Sequence, residues 1–123
     1  PTIIATVRKS ADPKFKKLAD YGADILTIDA NQQGKVDIKK LLKKLADRKI
    51  SSVLIEGGAQ IITSVIRENL AKRLVTVIAP KIIGGGIEAI GDLHIRSLQK
   101  AKLLSFQKIT KIGSDIIIDS RLV

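Results

Sequence analysis

The stretch "SSVLIEGGAQIITSVI", from Ser51 to Ile66, decides how this chain is read. An apolar run ends in a carboxylate, two glycines follow at once, and helical spacing begins behind them. Ser51–Glu56 reads as a strand. The segment 59–70 reads as a helix with Ile61, Ile62, Val65 and Ile66 turned inward. In open α/β sheets, ligands bind beyond the carboxyl ends of the strands, which is where Glu56-Gly57-Gly58 falls. Glycines let the backbone approach a phosphate closely, and the first amides of a helix point donors and the positive dipole end at an anion. Gly57, Gly58, Ala59 and Gln60 therefore form a candidate pyrophosphate cradle. The same Gly-Gly pair serves equally well as plain strand-to-helix geometry. It is neither a G-x-G-x-x-G fingerprint nor a P-loop. Glu56 would repel a pyrophosphate and is costly to desolvate at the end of an apolar strand. It either accepts hydrogen bonds from a neutral polar substrate or pairs structurally with a lysine, for which Lys81 is the candidate.

Outward from this stretch, the chain alternates strands and helices. "TIIATV" (Thr2 to Val7) has the β-branched profile of a strand buried on both faces. Asp12 and Pro13 look like the N-cap and first position of a helix whose inner stripe is Phe15, Leu18 and Ala19, ended by Gly22. "ADILTID" is a second strand and "NQQGK" a turn with Gly34 at positive φ. "VDIKKLLKKLADRKI" carries Ile38, Leu41, Leu42 and Leu45 at i, i+3, i+4, i+7, with lysines on the other face. That face is either simply solvated or a patch for an anionic ligand. "RLVTVIAPKII" is a fourth strand ended by Gly84-Gly85-Gly86. Residues 87–99 read as a loop with a short turn. "KLLSFQKI" and "SDIIIDSRL", joined around Gly113-Ser114, make an antiparallel hairpin. The order predicts a three-layer α/β domain with a mainly parallel sheet and an antiparallel C-terminal edge hairpin.

The composition sets limits on the function. The 123 residues are 45% apolar but hold only Phe15, Phe106 and Tyr21 as aromatics, so the core is aliphatic. A net charge of +10 invites a nucleic-acid reading. Against it stand the missing aromatic platforms, the absence of a nucleic-acid motif and the scatter of lysines over helix surfaces. A protein for phosphorylated small molecules carries the same charge. Without cysteine there is no thiolate zinc site or thiol nucleophile, which fits a reducing, cytoplasmic compartment. No metal site is expected, nor any membrane span. The apolar edge strands of the closing hairpin predict a homodimer. The chain starts at Pro1 and has no methionine, as expected of a processed product, a domain excised from a longer chain or an incomplete sequence.

The segment "VDIKKLLKKLADRKISSVLIEGGAQIITSVIRENLAKRLVTVIAPKIIGGG" resembles the C-terminal reductase domain of riboflavin-biosynthesis deaminase/reductases and their stand-alone counterparts. "VLIEGGA" and "APKIIGGG" are its most specific parts. The resemblance runs over 1–123 and implies a dihydrofolate-reductase-like fold. It also implies NADPH-dependent reduction of a ribosylaminopyrimidine 5′-phosphate, with hydride reaching the ribose C1′ of the ring-opened imine. Such a reaction needs positioning more than a strong acid or base, so no catalytic acid or base is assigned. The lone histidine, His94, reads as a surface loop residue. Carried over residue by residue, Glu56 matches the substrate-contacting glutamate. Gly58, Ala59, Gln60, Ile61, Ile62, Thr63 and Ser64 match the NADP-binding turn and helix start, with Gly57 giving the bend.

The chain also departs from that family. The family's domain carries further strands ahead of the segment matching Thr2–Val7, and these hold most substrate-binding residues. The expectation is an N-terminally truncated reductase domain that retains the cofactor half of a site. Arg8 and Lys9 are candidates for a 2′-phosphate contact. Two alternatives stay open: a non-catalytic nucleotide-binding or dimerisation module of the same fold, and a basic nucleic-acid-binding α/β domain.

Overall fold

Residues 2–8 and 13–123 are described by the structure, a computed structural model. The expected N-cap Asp12 and the candidate Lys9 lie outside the described residues. The chain divides into two compact units, Pro1–Val53 and Leu54–Val123.

In the first unit, β1 (Thr2–Thr6) and β2 (Ala23–Thr27) pair in parallel, from Thr2 opposite Ala23 to Thr6 opposite Thr27. Helix α1 (Pro13–Asp20) is the crossover between them. Gly22, at φ +85, closes it as expected, with its amide donating to the Ala19 carbonyl at 2.8 Å. Ile28, 1% exposed, follows β2 and donates to the Thr6 carbonyl. With one partner strand between them, β1 and β2 are mostly half-buried rather than covered on both faces. Only Phe15 of the expected α1 stripe is half-buried; Leu18 and Ala19 are exposed.

The turn after β2 is built by Asn31. Its Oδ1 accepts from the amides of Gln33 (2.9 Å) and Lys35 (3.0 Å), and Gly34 takes φ +73. Helix α2 (Ile38–Asp47) starts at Asp37, whose carboxylate accepts from the Lys40 amide at 3.0 Å. Its expected inner stripe is present, with Ile38, Leu41, Leu42 and Leu45 all half-buried. Cations spaced four apart on the same helix reach back to β2 and the turn. The Lys40 ammonium meets Asp29 at 2.8 Å, Lys44 donates to the Thr27 carbonyl at 2.9 Å, and Arg48 pairs with Asp24. Lys40 holds the Asp29 carboxyl below its ordinary range and is itself raised by the same pair. These three cations therefore serve the fold, while Lys39 and Lys43 remain exposed.

In the second unit, α3 (Ala59–Arg67) packs Val65 and Ile66, each 4% exposed, into a small core with Thr63. Three strands follow: β3 (Arg73–Ile78), β4 (Leu104–Ile112) and β5 (Asp115–Leu122). They form an antiparallel sheet in the order β3-β5-β4, with a bulge between Phe106 and Lys108. The β4–β5 hairpin turns at Gly113 (φ +60) and Ser114, as expected. A single 3₁₀ turn at Leu98–Lys100 interrupts the long loop before β4.

Three expectations differ in detail. Ser51–Glu56 forms no strand, and Leu54 is 78% exposed. A β-branched apolar run becomes a central strand only when neighbouring edges accept its ladder, and none does so among the described residues. The fourth strand stops at Ile78, ahead of Pro80, which has no amide to continue a ladder. Among the described residues parallel pairing is confined to β1 and β2, and β3 runs antiparallel to β5. The α/β class and the antiparallel closing hairpin stand.

Candidate functional site

Gly58 makes the start of α3. It sits at φ +74 and ψ 117, and its carbonyl accepts the amides of Ile61 (3.0 Å) and Ile62 (3.2 Å). Gly58 supplies no side-chain cap to this helix. A Cβ added at Gly57 or Gly58 would meet nothing within 4 Å, so internal crowding does not explain the glycine pair. At Gly58 the positive φ does require glycine, because an L side chain is strained there. The result is a turn at Gly57 and Gly58 with no side chains and with open space beside them, which suits an approaching oxyanion.

Glu56 precedes this turn and is exposed, so it avoids the desolvation cost expected at the end of a buried strand. It forms no ion pair among the described residues, and the Glu56–Lys81 pair that would have made it structural is absent. Gln60 and Ile61 are also exposed, the latter at 47%. Ile61 was expected to face inward; the residues buried on this helix are Thr63, Val65 and Ile66, of which Thr63 and Ile66 lie well round the helix from Ile61 and Val65 sits one turn further along. Ser64 and Ile62 are half-buried.

Thr63 is 7% exposed and fully hydrogen-bonded. Its hydroxyl donates to the Ala59 carbonyl at 2.6 Å and accepts the Gly91 amide at 2.8 Å. The loop behind the glycine run is thereby fastened to α3. Gly84 of that run has φ +90, and added Cβ atoms at Gly84, Gly85 and Gly86 would meet open space.

Just beyond Gly91 the loop folds on Asp92. Arg96 grips both carboxylate oxygens, at 2.8 and 2.6 Å, and the His94 amide donates at 2.7 Å. These contacts, Arg96 first, hold the Asp92 carboxyl far below the ordinary carboxylate range. His94 takes φ +58, and its ring lies 3.3 Å from Asp92 on the exposed surface, as expected of a loop residue. This cluster escaped the sequence reading; its signal was an Asp and an Arg four apart directly after a glycine. Arg8 lies in the first unit, where its amide donates to Thr6 Oγ1 at 3.1 Å. Among the described residues no group of His, Cys, Asp and Glu could hold a metal ion, and no helix is long and apolar enough to cross a membrane.

Comparison with known proteins places this geometry in a family. The family model described as the RibD C-terminal domain matches residues 1–118. The chain is 36% identical over 118 residues to the riboflavin biosynthesis protein RibD of Aquifex aeolicus, covering 96% of this chain and 31% of that protein. It is 33% identical over 85 residues to the 2,5-diamino-6-ribosylamino-4(3H)-pyrimidinone 5′-phosphate reductase of the same organism, covering 69% of this chain and 37% of that protein. Among solved structures, Acinetobacter baumannii RibD superposes with a TM-score of 0.78 at 20% identity, covering 98% of this chain and 31% of that one. The fold is thus that of RibD reductase domains, dihydrofolate-reductase-like, and the chain spans about a third of the length of the curated relatives it matches. With its glycine turn inside the matched span, the chain belongs to the RibD C-terminal domain family.

Proposed function

We propose that this chain is the cofactor-binding part of an NADPH-dependent reductase that converts a ribosylaminopyrimidine 5′-phosphate to its ribitylamino product in riboflavin biosynthesis. The observation that carries this reading is the uncapped α3 start at Gly58, open in front and inside the matched family span. A relative named as a pyrimidinone 5′-phosphate reductase supplies the substrate class. NADPH, when bound, supplies the hydride that reduces the ribose C1′. The residues of this chain bind and orient. The turn from Gly57 to Gln60 would hold the pyrophosphate, and the helix dipole would favour its charge. On the first half of α3, Ile61, Ile62 and Ser64 would line the cofactor site, with Thr63 buried behind them. Glu56, exposed and without an ionic partner among the described residues, would accept hydrogen bonds from neutral polar groups of the substrate.

The remainder of the domain completes the site in this reading. Val53 and Leu54, exposed on an apolar run that pairs with nothing among the described residues, mark where further strands dock. The active form is a homodimer working in the cytoplasm. Ile78, Leu104, Phe106, Ile109 and Ile116 share one face of the antiparallel sheet by register, and Phe106 and Ile109 are 63% and 60% exposed. A second copy of the chain covers that face. Sedimentation of the full-length protein at micromolar concentration gives twice the chain mass, and Phe106→Glu converts it to monomer; a monomeric wild type rejects the dimer.

The reading is tested by single-turnover assay of the full-length protein with NADPH and the ribosylaminopyrimidine phosphate, beside calorimetric titration with NADPH and with duplex DNA. Oxidation of NADPH coupled to formation of the ribityl product is expected. Tight, steeply salt-dependent DNA binding with no NADPH signal would overturn it.

A further inference from the structure

We infer that Thr63 is a positioning residue: its hydroxyl anchors the loop behind the glycine run to α3, and it serves the cofactor site through that loop rather than by touching the dinucleotide. The inference rests on the cofactor reading given above. A threonine hydroxyl has one proton to donate. Here it goes to the Ala59 carbonyl at 2.6 Å, the usual back-bond of a helical threonine. The oxygen then accepts the Gly91 amide at 2.8 Å, from a residue 28 positions along the chain. Thr63 is 7% exposed, so its hydroxyl is spent inside the protein and has no proton left for a phosphate oxygen.

The other side of the contact is shaped to match. Gly91 is the one glycine whose added Cβ would meet a neighbour in the chain, Thr63 Oγ1 at 3.4 Å, with Glu88 Oε2 at 4.0 Å. Gly91 lets the loop backbone lie directly on the helix. One residue on, Asp92 collects the His94 amide and both guanidinium donors of Arg96. Two consecutive residues thus fix the loop, one to α3 and one to itself. The bond meets α3 one turn behind the Gly58 start, so a loop held there keeps Gly84–Gly86 and the cofactor turn in one arrangement. A loop released there must be ordered again when the cofactor binds, which weakens binding.

The test uses the full-length protein with Thr63→Val, which keeps the shape and removes the hydroxyl, and Thr63→Ser, which restores it. Hydrogen exchange at the Gly91 amide and NADPH affinity are both read. Valine is expected to speed Gly91 exchange and raise the NADPH Kd about tenfold, and serine to return both towards wild type. Gly91→Val probes the same contact from the loop side, away from the α3 core, and is expected to raise the Kd in the same direction. The proposal is overturned if serine behaves like valine, since packing and not the hydroxyl would then matter. It is equally overturned if valine frees the Gly91 amide while NADPH affinity stays put. Failure of the cofactor reading looks different, because the wild-type protein would then give no NADPH binding, and the proposal would go with it.

Discussion

Two helices of this chain start in opposite ways. Helix α2 is closed by its own sequence: the Asp37 carboxylate accepts the Lys40 amide, and Lys40, Lys44 and Arg48 tie the helix to β2 and the turn behind it. Helix α3 begins at Gly58 with no side-chain cap, positive φ and open space where a side chain would stand. A helix needs its first amides satisfied, and a chain under selection for stability alone supplies Ser, Thr, Asp or Asn for the purpose. Leaving the cap position to glycine forgoes that stabilisation, and the difference between the two starts is what an external anion would explain. The contrast separates a structural helix start from a receiving one, and it can be attacked at both ends.

The largest effect is expected at Gly58. Gly58→Val forces a branched side chain into φ +74 and places carbon in the open space before the helix. Loss of one or two charge-assisted hydrogen bonds, about 1.5–3 kcal/mol each, lowers NADPH affinity at least tenfold by calorimetry. A variant with a lower melting temperature but unchanged NADPH affinity would make the α3 start structural, like that of α2, and the contrast would collapse.

Glu56 sharpens the same comparison. Glu56→Gln is nearly isosteric, removes a negative charge beside the turn, and breaks no ion pair among the described residues. NADPH binding is therefore retained or slightly improved, while turnover of the ribosylaminopyrimidine phosphate by the full-length protein falls by about tenfold, the size of one weakened charge-assisted hydrogen bond. The two substitutions should dissociate, one acting on cofactor affinity and the other on catalysis. If Glu56→Gln weakened NADPH binding as strongly as Gly58→Val, the carboxylate would belong to the cofactor side and its substrate role would have to be given up.

The features read correctly from sequence are those with local causes. The i, i+3, i+4, i+7 stripe of α2, the Gly22 stop, the Asn31–Gly34 turn and the Gly113-Ser114 hairpin all depend on residues within a few positions of one another. The glycine turn of α3 belongs with them, since positive φ at Gly58 is a local demand. What was not legible depends on partners. "SSVLIE" has the composition of a buried strand, but composition does not say which edge receives it. The antiparallel run of β3 against β5 is likewise a choice of neighbour, and the residues of "RLVTVI" suit either direction. Ile61 fits the apolar stripe as well as Thr63 does by hydropathy. Thr63 is the one buried because its hydroxyl finds two partners, one of them Gly91, far away in sequence.

The smallest effect, and the control on the whole comparison, lies at Asp37. Asp37→Ala removes the acceptor for the Lys40 amide and leaves the first turn of α2 to water. Loss of an N-cap of this kind costs about 1 kcal/mol, so chemical denaturation should show a midpoint shift without a change in slope. NADPH affinity should not move, because the amides that Asp37 serves are already occupied by the protein and the helix they begin is not the receiving one. Adding a cap to α3 is the reciprocal change. Gly58→Asn tolerates positive φ better than valine does and offers a side-chain oxygen to the helix amides. It should hold stability near wild type while competing with the cofactor for those donors. A stabilised Gly58→Asn with weakened NADPH binding, set against a destabilised Asp37→Ala with intact binding, would show that stability and ligand reception are traded at the α3 start. If instead Asp37→Ala lost NADPH affinity, the start of α2 would be part of the ligand site, and the division between a structural and a receiving helix start would be wrong.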